Sequence, residues 1–126
     1  MLSSEVRGFV TEHIHSVVQL ETLLLLCRQR EQQWTAEAVA RELRIDRGAA
    51  AAELADLQLH GLVALRGSSY VYAPRAARAE QIVAELAAAY EDQRVAVINL
   101  IYSKPSDRIR VFADAFRLRK DEDEDG

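Results

Sequence analysis

The sequence predicts a mainly α-helical protein with one small β-hairpin, and three observations carry that prediction. Apolar residues recur at helical spacing over most of the chain. Residues 35–60 indicate two short helices joined by a tight connection at 44–46. Two strand-like runs, 62–66 and 70–73, flank the turn residues 67–69, which is a hairpin signal. We therefore expect helix, turn, helix and hairpin in that order, followed by long C-terminal helices.

Length and composition limit the classes of protein to consider. With 126 residues and 49% apolar content, one compact domain with a buried core is expected. No apolar run approaches the roughly 20 residues of a membrane span, and the first residues lack the basic start of a secretory signal. The single Cys27 cannot form an internal disulfide, which fits a reducing compartment. We therefore expect a cytoplasmic protein that makes no contact with membranes.

The formal net charge of −4 is unevenly distributed. Residues 121–125 supply five carboxylates, and without this tail the chain has a net charge of +1. A nearly neutral body gives no strong attractive field for phosphate. The tail itself has two interpretations. It is either a solvated end or a segment that competes with nucleic acid for the neighbouring arginines.

The N-terminal part predicts two helices. The first spans 4–14. The second begins after Ser16, because Ser16 and Gln19 have the spacing of a capping box. Its middle has little polar surface, so we expect it at the centre of the core. Trp34 is expected to fill the joint before the next helix. The residues predicted to share the buried face of the first helix are Val6, Phe9, Val10 and Ile14.

Local signals also place the helix ends around the tight turn. Thr35 and Asp46 are good N-caps for the two helices. Leu54 and Leu57 are expected to point inward from the second. Gly61 suits the left-handed position just after its end.

Residues 35–43, 49–57 and 60–63 together resemble winged helix-turn-helix regulators of bacteria, of the MarR-like, ArsR-like and PadR-like families. Two leucines stand seven and four residues before Gly61, a spacing typical of those families. The resemblance covers roughly residues 16–75. It implies a winged helix-turn-helix with a two-stranded wing, double-stranded DNA as the partner, and a homodimer formed through long C-terminal helices.

The resemblance also suggests how the chain is organised. Residues 1–75 would form the winged-helix domain with its N-terminal helix, residues 76–119 the dimerisation helices, and residues 120–126 an acidic disordered tail. The preferred function is a cytoplasmic transcriptional regulator. It would bind DNA as a dimer through the helix 47–60 and the wing 62–73.

The positions that match DNA contacts of the family lie near the start of the second helix and on the wing. Only Arg47 can donate a bidentate hydrogen bond to guanine, whereas alanine can do no more than touch a thymine methyl. Because reading groups are few, a second function stays open, a winged helix that binds a protein partner with little or no DNA binding. The full set of candidate DNA contacts is Arg44, Arg47, Ala50, Ala51, Arg66, Ser68, Ser69 and Tyr70.

The C-terminal region predicts a long helix over 75–103, and its end, 95–102, is apolar on nearly every side. Such a helix needs cover all round. The cover is either a second copy of the chain, which we prefer, or the first and last helices of the same chain. A further helix is expected after Pro105. The predicted interface residues are Val95, Ile98, Ile101, Tyr102, Val111, Ala115 and Leu118.

Signals for other chemistry are weak. His13 and His15 leave opposite sides of a helix, so we expect a surface pair rather than a metal site. Cys27 lies among leucines and is expected to be a core residue rather than a redox sensor. The sequence carries no Gly-rich phosphate loop and no recognisable catalytic constellation. We therefore expect no enzyme activity and assign no cofactor.

Overall fold

A computed structural model describes residues 2–103. The last predicted helix, with Val111, Ala115 and Leu118, and the acidic tail lie outside these residues. The described part is mainly helical with one two-stranded antiparallel sheet, which confirms the coarse fold class. None of its helices is long and apolar enough to cross a membrane. The elements are, in order, α1 (Ser4–His13), α2 (Val17–Arg28), α3 (Ala36–Leu43), α4 (Arg47–Leu59), β1 (Val63–Arg66), β2 (Ser69–Tyr72), α5 (Ala77–Asp92) and α6 (Arg94–Ser103).

Side-chain caps begin the first four helices. Ser16, Thr35 and Asp46, the three predicted N-caps, each accept a hydrogen bond from the backbone N–H three residues later. Ser3 caps α1 in the same way, at 3.2 Å from the nitrogen of Val6. Each cap satisfies an N–H that has no partner within its helix, which is worth typically about 1 kcal/mol.

The capping box at the start of α2 differs from the expected form. Ser16 accepts from the N–H of Gln19, as predicted. The side chain of Gln19 instead accepts from the N–H of His15, one residue before the cap, at 2.8 Å. Its amide also donates to Asp56 on α4. Because Gln19 is fully buried, these bonds fix the corner between α1 and α2 against α4.

Helix α2 is the centre of the core, as its apolar composition predicts. It packs against α3, α4 and β2. Leu20, Leu23, Leu24 and Leu26 are all buried. Truncating any one of them to alanine leaves a cavity in the core and should lower the free energy of unfolding by about 2–5 kcal/mol. We call α2, α3, α4 and the β1–β2 hairpin the hairpin unit.

The hairpin is tighter than predicted and has an additional neighbour. Arg66 pairs with Ser69, so the turn has two residues, and Gly67 adopts a φ of +67° that favours glycine. Trp34 forms an antiparallel bridge with Tyr70, its N–H donating to the Tyr70 carbonyl at 2.8 Å and its carbonyl accepting in return at 2.7 Å. The sequence predicted a buried Trp34 but not this bridge. β2 therefore lies between Trp34 and β1.

The single long helix predicted over 75–103 is wrong. The helix is interrupted at Gln93, whose ψ of 50° leaves the helical region, and α5 and α6 are separate elements. No proline or glycine marks the break. The interruption lets α6 pack on both α1 and α5, which buries Val97 and Ile101. Burial of this apolar surface is the physical reason for the change of direction.

Helix α1 belongs with the C-terminal helices by its packing. It contacts α5 and α6, and the predicted buried face of Val6, Phe9, Val10 and Ile14 is confirmed. We call α1, α5 and α6 the terminal helix group. One continuous apolar core joins this group to the hairpin unit.

Candidate nucleic-acid interface

The turn between α3 and α4 is built on an uncommon backbone conformation. Arg44 ends α3 in the left-handed region, at φ 57° and ψ 50°. The N–H of the next residue, Ile45, reaches back to the carbonyl of Ala40 at 3.0 Å and closes the helix end. Arg44 is exposed, so its guanidinium is available to a phosphate.

Arg47, the predicted base-reading residue, is the first residue of α4 and is exposed. Its guanidinium lies 3.2 Å from a carboxylate oxygen of Glu37 on α3. An exposed ion pair of this kind is worth at most about 1 kcal/mol, so a nucleic acid can displace Glu37. Nevertheless, Glu37 and the capping carboxylate of Asp46 reduce the positive potential at this end of α4.

The prediction that Ala50 contacts DNA is wrong. Its side chain is completely buried in the core, on the same side of α4 as Leu54 and Leu57. The three residues have the spacing i, i+4 and i+7, which places them on one face of a helix. That spacing was visible in the sequence and would have excluded Ala50.

The opposite side of α4, which we call the α4 outer face, consists of small residues and one leucine. Its exposed members after Arg47 are Gly48, Ala51, Ala52, Ala55 and Leu59. Of these, only Ala51 belongs to the predicted set of contacts. None of the five side chains carries a charge or a hydrogen-bonding group, and Leu59 keeps 81% of its surface in solvent. Beyond Arg47, the face can therefore touch base edges by apolar contact alone.

The hairpin contributes a smaller exposed set than the sequence predicted. Arg66 and Ser68 are exposed at its tip, while Ser69 and Tyr70 are half-buried. The N–H and carbonyl of Tyr70 are already bonded to Trp34, which removes them as backbone contacts for a partner. Arg66 is therefore the main candidate for a phosphate contact here.

Helix α6 exposes only part of the predicted dimer interface. Val95 is 70% and Tyr102 is 66% exposed, and Ile98 is half-buried. Ile101 was predicted at the interface, but it is buried within its own chain. α1 and α5 already cover that side of α6, so a second copy would be needed on one side only.

Two further expectations concern single side chains. Cys27 is buried in α2, as expected for a core residue, with an Arg30 nitrogen 3.9 Å from its sulfur. His13 is not a simple surface residue, because it is half-buried and its Nδ1 lies 2.8 Å from Nδ1 of His60. Among residues 2–103 there is no cluster of three or more potential metal ligands.

Comparisons of this chain with protein-family models, with curated proteins and with solved structures found no match. A proposal about function therefore depends on the geometry of the two exposed surfaces, the start of α4 with the hairpin tip, and the outer side of α6.

Proposed function

We propose that this protein is a transcriptional regulator that binds double-stranded DNA as a homodimer through α4 and the hairpin. The observation that carries the proposal is that arginines are exposed at three successive points of the hairpin unit. Arg44 lies in the turn, Arg47 at the first position of α4, and Arg66 at the end of β1. A helix after a tight turn, followed by a hairpin, is the arrangement with which winged helix-turn-helix proteins meet DNA.

The three arginines would have different roles in the proposed complex. Arg47 would exchange Glu37 for a guanine edge, while Arg44 and Arg66 would bind phosphates. Ala51 and Ala52 have no long side chains, so the backbone of α4 could approach the groove closely. With one base-reading group in each subunit, we expect modest sequence preference and a large share of salt-sensitive phosphate binding.

The exposed side of α6 supports the dimeric part of the proposal. Val95 and Tyr102 present large apolar side chains to solvent, and a second copy would remove this surface from water. Two copies would double the contacts to DNA and would read two half-sites related by two-fold symmetry.

The test is selection of bound duplexes from a random pool by the full-length protein, followed by affinity measurements at several salt concentrations. We expect a roughly palindromic enriched sequence and an affinity that falls with salt. Absence of enrichment, with weak binding at low salt only, would contradict the proposed regulator.

One observation favours the alternative, a module that binds a protein through the α4 outer face. Leu59 is 81% exposed there, and every exposed residue between Arg47 and Leu59 is glycine or alanine. Such a face is uncharged and lets another helix approach closely, which suits a protein partner.

A charge swap on the α4 outer face distinguishes the two functions. Ala55→Arg and Ala55→Glu place opposite charges on side chains of similar length at an exposed position. Ala84→Arg and Ala84→Glu make the same swap at an exposed position of α5 and are the matched controls. If α4 enters a groove, the difference in DNA affinity between the arginine and glutamate variants is larger at position 55. Equal differences at the two positions would place α4 away from DNA and favour a protein partner.

A further inference from the structure

Two histidines from different helices share a direct hydrogen bond. His13 lies at the end of α1, and His60 caps the end of α4. Their Nδ1 atoms are 2.8 Å apart, and the two rings meet edge to face at an interplanar angle of 89°. Each side chain is less than one-third exposed, at 28% and 29%. This contact joins the terminal helix group to the hairpin unit.

The number of protons on the pair decides whether the hydrogen bond exists. An N–H···N bond requires one Nδ1 that carries a proton and one that does not. When both imidazoles are neutral, either ring can donate. One additional proton is tolerated, because it can occupy an outer Nε2. When both imidazoles are charged, two N–H groups face each other and the bond is lost.

The surrounding charges face the outer nitrogens. The Nε2 atom of His13 lies 3.8 Å from a carboxylate oxygen of Glu12, on α1 itself. On α4, Nε2 of His60 lies 3.6 Å from an oxygen of Asp56. From α5, Arg78 lines the adjoining cavity and forms an ion pair with Glu5 of α1. Both neighbouring carboxylates therefore favour a proton on the Nε2 atom that each one faces. Neither carboxylate lies between the two Nδ1 atoms.

Burial of His13 determines how the stability of the fold responds to acid. Desolvation lowers the pKa of His13 most strongly, the charge of Glu12 opposes this, and His60 lowers it further. A histidine whose pKa is lower in the folded than in the unfolded chain stabilises the fold above the ordinary value of 6.5. This stabilisation is lost as the pH falls from 6.5 through the pKa of the folded state.

We propose that His13 and His60 form a pH-sensitive latch that holds the end of α1 on the end of α4 near neutral pH and releases it in acid. The apolar face of α1 stays packed on α5 and α6, so the latch controls the joint between the two helix groups rather than the whole fold. This proposal does not depend on DNA binding, and it is tested without any nucleic acid.

A double-mutant cycle of His13→Phe and His60→Phe tests the latch, since phenylalanine keeps an aromatic ring and does not titrate. At pH 8 we expect the two histidines to stabilise each other by about 2- to 10-fold in the folding equilibrium constant, the size of one hydrogen bond. At pH 5 we expect this coupling to disappear or to change sign. Equal coupling at both pH values would overturn the proposal.

His15→Gln is the matched control. His15 is more than half exposed and lies 3.0 Å from Glu53, on the helix that His60 caps, but no hydrogen bond or ion pair joins its side chain to either histidine of the pair. Its replacement should leave the acid-dependent loss of coupling unchanged. If this variant alone removed the acid response, the response would belong to the His15–Glu53 ion pair and the latch would be excluded.

Nuclear magnetic resonance of the unaltered full-length protein covers the case in which the phenylalanine variants do not fold. With ¹⁵N-labelled histidine, we expect a scalar coupling between the two Nδ1 nuclei at pH 8. We expect that coupling to vanish in acid together with loss of hydrogen-exchange protection at the end of α1. Absence of the coupling at pH 8 would overturn the proposal, as would two charged imidazoles with unchanged protection.

Discussion

The outward sides of α4 and α6 differ in the size of their exposed side chains, and the two sizes suit different kinds of contact. After Arg47, α4 presents small groups such as Ala51 and Ala55, whereas α6 presents the large apolar side chains of Val95 and Tyr102. Both helices bury their other side within the chain. Small side chains allow another molecule's backbone to come close, while large exposed apolar side chains leave surface that another apolar surface would cover. The comparison therefore predicts a partner whose backbone approaches closely at α4, either a DNA groove or another helix, and self-association at α6.

The largest expected effect is on the inner side of α4. Leu54→Ala should lower the free energy of unfolding by about 2–5 kcal/mol, because Leu54 is completely buried. Leu59→Ala, the same substitution on the exposed side of the helix, should change it by less than about 0.5 kcal/mol. Urea denaturation measures both. Similar losses would mean that another surface covers Leu59, and the α4 outer face would not be free.

On α6, the double variant Val95→Asp with Tyr102→Asp should weaken self-association at least about tenfold, since it places charge on the exposed apolar side. Sedimentation velocity over a range of protein concentrations measures this. The control is Gln81→Asp with Ala84→Asp, which adds the same two negative charges at exposed positions of α5. A wild-type protein that stays monomeric at every concentration would contradict the proposed dimer.

At the start of α4, Arg47→Ala should weaken binding to the selected DNA by about 1–3 kcal/mol and relax the preference at one base pair. Arg7→Ala removes the same charge from an exposed position on α1 and is the control. Fluorescence anisotropy with the selected duplex and single-base variants measures the effect. Equal losses of DNA affinity in the two variants would mean that Arg47 contributes only its charge and does not contact a base.

The smallest expected effect is that of a substitution at Asp46, which should lower stability but tighten DNA binding. Asp46→Ala removes the cap of α4 and should cost about 0.5–2 kcal/mol of stability. It also removes a carboxylate beside Arg47, so DNA binding should become tighter at low salt. Ser16→Ala removes the cap of α2 and should lower stability with little change in DNA binding. Tighter binding in both variants would point to a cause other than the carboxylate.

Local sequence signals predicted the helix beginnings well because their causes lie within three residues. Ser16, Thr35 and Asp46 cap helices through their own side chains, and Gly61 ends α4 with a φ of +74°. The helix periodicity also predicted the buried leucines 54 and 57. The same periodicity extends to Ala50 and would have placed it in the core, but the family resemblance assigned it to DNA, and the structure contradicts that assignment.

Part of the candidate site could not be predicted because it depends on elements that are distant in the sequence. The ion pair of Arg47 with Glu37 requires the orientation of α4 relative to α3. Likewise, the bridge between Trp34 and Tyr70 joins the segment just before α3 to β2, with α3, α4 and β1 between them in the sequence. No local pattern encodes either contact, although both decide which groups a partner can reach.

By itself, the sequence determined the mainly helical class, the caps, the hairpin and the central position of α2, because these follow from side-chain chemistry and short-range periodicity. Tertiary structure alone decided the break at Gln93, the burial of Ile101 and the meeting of His13 with His60. The first two depend on how α1, α5 and α6 pack within the terminal helix group, and the third depends on how that group meets the hairpin unit. Apolar burial does not specify its partner, so a helix that is apolar on every side can be recognised from sequence, but the surface that covers it cannot.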